Sequence, residues 1–256
     1  MLLQKACEAG AGGACTMLGA WHATGKWVAL DPVKARAYYE RGCKLDNPAA
    51  CTNLGNVLAS GKGGPADPNR ARELFDKACT RGIAQACTNL GVRYRRGEGG
   101  VRRNVVKARE LYRRGCDGGH AIGCTNLGIL QRKGLGGPED LVSARASYEK
   151  ACAGGSAKAC NNLGALFENG LGGPEDRVRA RELYREACDG NTSRGCTNLG
   201  YLLRHGRGGD KDLAEAMRLY EQGCDGGHAT GCSNLGIVYE FEAGAHQDDA
   251  VARQWY

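Results

Sequence analysis

The sequence is poor in proline, in aromatic residues and in long apolar stretches. It has six prolines in 256 residues, and phenylalanine, tryptophan and tyrosine together make up 6 % of the chain. No apolar run approaches the roughly 20 residues that a membrane-spanning helix needs, so we expect no membrane span. The formal net charge of +7 is moderate. It is compatible with an acidic partner, but it is too small to indicate nucleic-acid binding, which we do not expect.

Cysteine, in contrast, is abundant and regularly placed. The 14 cysteines form seven pairs with seven residues between the two members, and successive pairs lie 36 residues apart, with one step of 37 from Cys79 to Cys116. Structural zinc sites group their ligands at shorter spacings such as C-x2-C, which do not occur here. An even number of cysteines at strict spacing predicts a disulfide framework. That framework predicts an oxidising location, either the periplasm or outside the cell.

The period of about 36 residues is typical of a helical solenoid. One half of the unit carries Cys-Thr-Asn-Leu-Gly, as at 51–55 and 87–91, and the other carries Ala-Arg-Glu-Leu-Tyr, as at 108–112. Glycine-rich segments separate the halves, and Leu54 and Leu58 share a helical face because they are four residues apart. Each unit is therefore predicted to be a helix A, a glycine turn and a helix B.

The sequence thus predicts an all-α fold, an α/α superhelical solenoid that occupies residues 1–256 as a single domain. The predicted bounds are partial repeats at 1–14 and 232–256 and full repeats at 15–50, 51–86, 87–123, 124–159, 160–195 and 196–231. Gly55 and its equivalents fall in the middle of helix A, where glycine costs about 1 kcal/mol relative to alanine. Their recurrence predicts a close approach between helices. The extra residue of the 37-residue step is expected in the turn 97–104.

Two disulfide pairings are compatible with an antiparallel helix pair. One links the end of helix B to the start of the next helix A, and the other would join Cys51 to Cys79 within one pair. The second leaves Cys7 and Cys232 without partners, and the first leaves none. We expect seven short bridges, each contributing about 2–3 kcal/mol. They are Cys7–Cys15, Cys43–Cys51, Cys79–Cys87, Cys116–Cys124, Cys152–Cys160, Cys188–Cys196 and Cys224–Cys232.

The two ends of the sequence read as incomplete repeats. Residues 1–7 are typical of the end of a helix B, and residues 249–256 of an unfinished one. No basic and then apolar stretch precedes Cys7, so a signal peptide is absent from this sequence. Because disulfides require export, we expect the chain to be a fragment of a longer protein.

The pattern CTNLG, GxGG, KARELY, GCDGG resembles the cysteine-rich Sel1-like repeat family, and most closely the Helicobacter cysteine-rich proteins. The resemblance covers essentially the whole chain. It implies helix pairs related to tetratricopeptide repeats, one disulfide per repeat, and adaptor or protein-binding roles. Some members have been described as penicillin-binding proteins or β-lactamases, and a mitochondrial relative is associated with respiratory-complex assembly and haem. One scaffold hosts many uses, so these functions are weaker expectations than the fold.

A stripe along helix A is the predicted binding surface. The recurrent asparagine and the residues three and seven positions later share one helical face, which we expect to line the concave groove. Asparagine amides suit a peptide backbone, and a nearby Arg or Lys suits a carboxylate, as in the carboxylate clamp of tetratricopeptide repeats. We therefore predict a protein or peptide ligand, bound in part through its C-terminal carboxylate. The candidate groove residues are Asn53, Asn89, Arg96, Asn126, Lys133, Asn162, Asn198, Tyr201, His205 and Asn234.

The alternatives to peptide binding are less well supported. Each asparagine could instead satisfy a backbone group between repeats, and the charged positions could be plain solvated surface. A β-lactam- or peptidoglycan-directed hydrolase would need Ser-Asp-Asn and Lys-Thr-Gly elements beside Ser147-x-x-Lys150, and both are absent. His120 and His228 lie three repeats apart and cannot share a metal. We expect no catalytic residue, no metal and no cofactor.

Overall fold

The computed structural model describes residues 2–241, and this part of the chain is helical. Short turns connect fourteen α-helices in these residues. Odd-numbered helices are helix B and even-numbered helices are helix A. The prediction for residues 249–256 lies outside the described residues. The helices are α1 Leu2–Glu8, α2 Gly12–Thr24, α3 Pro32–Lys44, α4 Pro48–Ser60, α5 Pro68–Thr80, α6 Ala84–Arg96, α7 Val105–Asp117, α8 Ala121–Arg132, α9 Leu141–Ala153, α10 Ala157–Glu168, α11 Arg177–Asp189, α12 Ser193–His205, α13 Leu213–Asp225 and α14 Ala229–Phe241.

Local signals in the sequence fix where these helices begin and end. Helix B begins after a capping Asp or Asn, as where the Asp67 side chain accepts a hydrogen bond from the Arg70 backbone at 2.9 Å. Such a cap satisfies one of the free N–H groups of the first turn. Pro68 then occupies the first helical position, where its fixed φ suits the helix. Helix A ends at a left-handed glycine such as Gly61, with φ 70°.

The mid-helix glycines of helix A exist because an aromatic ring of helix B lies directly on them. A Cβ atom at Gly55 would lie 2.5 Å from the Phe75 ring, and one at Gly91 would lie 2.8 Å from Tyr112. The side chains of Phe75 and Tyr112 are fully buried. The close approach that the sequence predicts is therefore between helix A backbone and helix B ring, and it holds the two helices of a pair together.

The described helices fall into two compact units. The first comprises residues up to Leu130 with the turn 134–138, and the second comprises Gln131–Lys133 and the residues from Glu139 onward. In the first unit α2, α4 and α6 each pack on the helix B that follows, and in the second unit α10 and α12 do so. Buried alanines, leucines and tyrosines at equivalent positions form the core of both.

Seven disulfides join consecutive helices, one in each period of the sequence. Each links the end of a helix B to the start of the next helix A, with Cα–Cα distances of 4.4 to 4.8 Å. These are the seven expected pairs, and no cysteine of the described residues is free. The all-helical fold with one disulfide per repeat is therefore confirmed.

A recurrent arginine on helix B joins each pair to the glycine turn of the next. Arg36 donates to the Pro65 carbonyl at 3.0 Å in the first unit, and Arg145 donates to the Pro174 carbonyl at 3.3 Å in the second. Arg109 and Arg181 make equivalent bonds. The glycine before each of these carbonyls leaves room for the guanidinium, since a Cβ at Gly173 would meet Arg145.

The extra residue of the 37-residue step interrupts this series. The segment 97–104 between α6 and α7 has eight residues where 61–67 has seven. Arg72, which would bind this turn, instead pairs with Glu73 at 3.0 Å, and its Nε is buried without a hydrogen-bond partner in the described residues. The extra residue lies where it was expected, and it displaces the carbonyl that the other turns offer.

Candidate functional site

The recurrent asparagines of helix A are half-buried and lie along one face in each unit. In the first unit, Asn89 Nδ2 donates to Asn56 Oδ1 of the preceding helix A at 2.8 Å. In the second unit, Asn198 Nδ2 donates to Asn161 Oδ1 at 3.0 Å. Some of these amides therefore bond to a different asparagine on the preceding helix A. Some asparagines of the series therefore satisfy groups between repeats. Others are left to form a ligand surface.

Three of the recurrent asparagines have side-chain amides without a hydrogen bond in the described residues. Among residues 2–241, Asn53, Asn126 and Asn234 make no side-chain hydrogen bond, although each is half-buried. An amide that is only partly exposed and has no protein partner offers two donors and an acceptor to a ligand or to water. These three asparagines of the series are the ones whose amides remain available to a ligand.

A cavity of about 260 Å³ opens beside the recurrent asparagines in the first unit. It is bounded by α4 and α6, with Phe75 as its floor. Its cation, Arg93, is 17 % exposed and lies 2.6 Å from Glu98, and Arg96 lies 3.6 Å from the same carboxylate. The positive charge beside this cavity is therefore balanced by a protein carboxylate.

The corresponding cavity of the second unit, about 250 Å³, is lined differently. Arg132 at the end of α8 and Arg194 in the first turn of α12 both border it, and no acidic residue does. Within the described residues neither guanidinium forms an ion pair. The remaining lining residues are Asn161, Asn162, Ala165, Leu166, Asn169, Leu171 and Asn198.

A second cavity of about 460 Å³ adjoins the first in the same unit. The two share Asn161, Asn162 and Arg194, and the second adds Lys158 and His228. No acidic residue lines it either. The two cavities together form a polar furrow, which we call the unit 2 furrow, with cationic and amide walls.

Tyr148 lies beneath the unit 2 furrow and is fully buried. Its hydroxyl faces Arg132 and Asn162 without forming a well-aligned hydrogen bond to either. Burial raises the pKa of Tyr148, and Arg132 opposes that rise. The neighbouring tyrosines are better satisfied: Tyr112 accepts from Arg95 Nε at 3.2 Å, and Tyr184 donates to Glu168 at 2.7 Å.

Burial and the Glu168 carboxylate together hold the pKa of Tyr184 far above its usual range. Tyr184 therefore stays a neutral donor at any ordinary pH, and its hydroxyl is committed to Glu168. In both cases the partner of the buried tyrosine is the residue eight positions after the cysteine of helix A. In the first unit it is Arg95, and in the second it is Glu168 for Tyr184.

The remaining predicted groove residues do not form one set. Lys133 follows the last residue of α8 and is exposed in the turn. The Tyr201 and His205 rings are tilted against each other with centroids 4.3 Å apart, and His205 Nδ1 lies 2.9 Å from the Tyr201 carbonyl. Arg207 lies over the Tyr201 ring at 5.2 Å. This aromatic cluster is therefore largely occupied with its own contacts.

Three residues that sequence reasoning missed, Arg132, Asn161 and Arg194, border the unit 2 furrow. One of them leaves a trace in the sequence. Asn161 replaces the threonine of the Cys-Thr-Asn-Leu-Gly motif, so α10 carries two adjacent amides. The arginines leave none, because they approach the cavity from the end of one helix and the start of another.

The Ser-x-x-Lys match has a structural role. Ser147 is 5 % exposed, and its hydroxyl donates to Gln131 Oε1 at 2.7 Å. A nucleophile must reach both a base and the substrate, and this serine is enclosed and bonded elsewhere. The hydrolase expectation therefore finds no arrangement to support it at this motif.

The loop histidines and the cysteine–carboxylate cluster also have structural explanations. His120 Nδ1 lies 2.9 Å from Thr88 Oγ1, and His228 lies 3.0 Å from Thr197 Oγ1. Burial lowers the pKa of both histidines. Glu186 lies near Cys152 and Cys160, but these sulfurs are joined in a disulfide and are not thiolate ligands.

The described part of the chain, residues 2–241, includes no helix with the length and apolar character to cross a membrane. Seven disulfides indicate an oxidising compartment. The fold and the bridges together define a class, the disulfide-bridged α/α repeat proteins.

Comparison with known families identifies the repeats. The Sel1 repeat model matches nearly the whole sequence, so the chain belongs to the Sel1 repeat family. No curated protein matches the chain. The matched segments are residues 13–47, 48–83, 84–120, 121–156, 157–191, 193–228 and 229–256.

Similar solved structures come from several bacteria. A protective antigen of uropathogenic Escherichia coli with an SLR fold is 26 % identical with a TM-score of 0.86, over 99 % of this chain and 54 % of that one. The chain thus spans about half the length of that antigen. A Sel1 repeat protein from Oxalobacter formigenes is 24 % identical with a TM-score of 0.82, over 94 % of both chains. Helicobacter pylori cysteine rich protein B is 28 % identical with a TM-score of 0.43, over 52 % of this chain and 96 % of its own.

Proposed function

We propose that this protein is a non-catalytic scaffold that binds a protein or peptide ligand along the helix A face. The observation that carries the proposal is the half-buried asparagine series, in which Asn53, Asn126 and Asn234 have no side-chain hydrogen bond in the described residues. Within each unit, amides at equivalent positions of helix A offer donors and acceptors to a peptide backbone. Cavities open beside the same series in both units.

The disulfides favour this role energetically. A binding surface that is already rigid avoids part of the ordering entropy that association costs. The first turn of each helix A carries a cysteine that is bridged to the helix before it. The recurrent asparagine is therefore held two residues from a covalent link. The asparagine series is therefore preorganised, and ligand binding need not order it.

The proposal also states how the protein recognises one end of the ligand. From the sequence, Arg96 and Lys133 are the cations expected to read a C-terminal carboxylate, and Tyr201 and His205 the residues expected to contact ligand side chains. Arg–carboxylate contacts are charge-assisted and add geometric specificity. The ligand would be met in the periplasm or outside the cell, where the disulfides persist.

Selection from a random peptide library tests the proposal. The wild-type protein is compared with the triple variant Asn53→Ala/Asn126→Ala/Asn234→Ala and with Asn69→Ala, a matched change at an exposed position on helix B. We expect enriched peptides to bind the wild type and Asn69→Ala equally and the triple variant at least tenfold more weakly. Equal binding by all three, or no enrichment, would overturn the proposal.

The carboxylate arm uses the same peptides with free and amidated C-termini. If Arg96 and Lys133 read the terminus, Arg96→Ala/Lys133→Ala loses the preference for free acids. If the preference persists in that variant, these two residues do not carry it.

A further inference from the structure

The unit 2 furrow differs from an ordinary solvated surface in its charge. Arg132, Arg194 and Lys158 line it, and none of its lining residues is acidic. In the described residues some other arginines pair with carboxylates, as Arg93 does with Glu98 and Arg179 with Glu182. A cluster of cations without counter-charges raises the local concentration of anions and binds them more strongly in a partly enclosed cavity than on open surface.

One side chain changes the lining of this furrow relative to the first unit. In the first unit, Asn56 accepts from Asn89, and this amide pair lies in the wall of the 260 Å³ cavity. The equivalent of Asn56 in α10 is Ala165, which has no polar group and little volume. Asn198, the equivalent of Asn89, donates instead to Asn161 one turn earlier. Ala165 and Asn169 line the cavity of the second unit without an amide pair between them.

Tyr148 supplies an independent observation. Its hydroxyl is fully buried next to two residues that line the furrow, Arg132 and Asn162, and it makes no well-aligned hydrogen bond within residues 2–241. Because the hydroxyl is inaccessible to solvent, it acts on the furrow from behind, through its interactions with Arg132 and Asn162.

We propose that the unit 2 furrow is a carboxylate-binding site, in which Arg132 and Arg194 hold an acidic group of a peptide whose backbone follows the asparagine series. The site rests on the proposed function, because it reads one group of the same ligand. Asn162 and Asn169 provide amides at the rim, and Lys158 extends the positive charge toward a second acidic group. The acidic group is either the C-terminus or the side chain of Asp or Glu.

A peptide array distinguishes these sources. Random eight-residue peptides are printed in three forms: with a free C-terminus, with an amidated end, and with an amidated end and one internal Asp. The proteins are the wild type, Arg132→Gln/Arg194→Gln and the control Arg102→Gln/Arg113→Gln, which removes the same charge from exposed positions of the first unit. Thermal melting checks that each variant is folded.

We expect the wild type and the control to prefer a carboxylate-bearing form at least tenfold, and Arg132→Gln/Arg194→Gln to lose that preference while still binding the amidated peptides. A preference for free ends alone identifies the C-terminus, and an equal preference for internal Asp identifies a side chain.

The outcomes separate the two proposals. If peptides bind through the asparagines but Arg132→Gln/Arg194→Gln keeps the acid preference, or the wild type has none, the carboxylate site is wrong and the peptide surface remains. If no peptide binds, both are wrong.

Discussion

The two units build the same skeleton and fill its helix A face differently. Both use C-x7-C bridges, glycines beneath buried rings and arginines that bind the next glycine turn. In the first unit the polar groups beside the cavity are paired within the protein: Arg93 forms an ion pair with Glu98, and Asn89 donates a hydrogen bond to Asn56. In the second the cavity has cations and no acid. The comparison separates residues that maintain the repeat from residues that vary between repeats and are free to carry function.

The largest expected effect concerns the shared skeleton. We expect Cys79→Ser/Cys87→Ser in the first unit and Cys152→Ser/Cys160→Ser in the second to lower the free energy of unfolding equally, by about 2–3 kcal/mol each, because the two bridges close loops of the same length. Denaturant unfolding followed by circular dichroism measures both. A loss in one unit only would mean that the skeletons are not equivalent.

The buried tyrosines give the next largest effect. Tyr184→Phe removes a hydrogen bond to a carboxylate and should cost about 1.5–3 kcal/mol. Tyr148→Phe removes a hydroxyl that has no well-aligned bond, so its stability should change by less than about 0.5 kcal/mol. Urea unfolding of both variants tests the difference. Equal losses would show that the Tyr148 hydroxyl is satisfied after all.

Exchanging one side chain should make the second unit resemble the first. Ala165→Asn places an amide at the position equivalent to Asn56, beside Asn198, and adds side-chain volume to the furrow lining. We expect affinity for carboxylate-bearing peptides to fall about tenfold, which corresponds to about 1.4 kcal/mol. Fluorescence anisotropy of a labelled peptide measures the change. Asn56→Ala in the first unit is the control, and it should leave this affinity unchanged.

The smallest effect concerns the glycines beneath the rings. Gly91→Ala and Gly164→Ala would each place a Cβ 2.8 Å from a tyrosine ring, and the overpacking cost of about 1–3 kcal/mol is partly offset by about 1 kcal/mol of helix propensity. We expect net losses near 1 kcal/mol in thermal unfolding. Gly13→Ala, where a Cβ meets nothing within 4 Å, should instead be neutral or stabilising. A gain at Gly91 or Gly164 would contradict the packing argument.

The skeleton could be predicted from the sequence because each of its features repeats. The cysteine spacing predicted the bridges, the mid-helix glycines predicted a close approach, and the 37-residue step located the long turn 97–104. Repetition converts a weak local signal into a strong one, since every copy must satisfy the same geometry.

The candidate site could not be predicted in the same way, because it depends on what differs between copies. The helical stripe included Lys133, but α8 ends at Arg132, so the lysine lies in the turn and the arginine borders the cavity. Arg194 lies two residues before a cysteine, outside the stripe, and reaches the furrow from a neighbouring repeat. Proximity between positions on three successive helices A is a tertiary property that no single repeat encodes.

The bridges also set how the chain would respond to mechanical pulling. Each disulfide joins cysteines that are separated by seven residues, so those residues cannot extend when the helices unravel under load. At about 3.4 Å per extended residue, each bridge withholds about 25 Å of length. The covalent path skips every connection between one pair of helices and the next. A stretched chain would therefore lengthen only within its helix pairs and their glycine turns, and each junction between pairs would stay covalently closed.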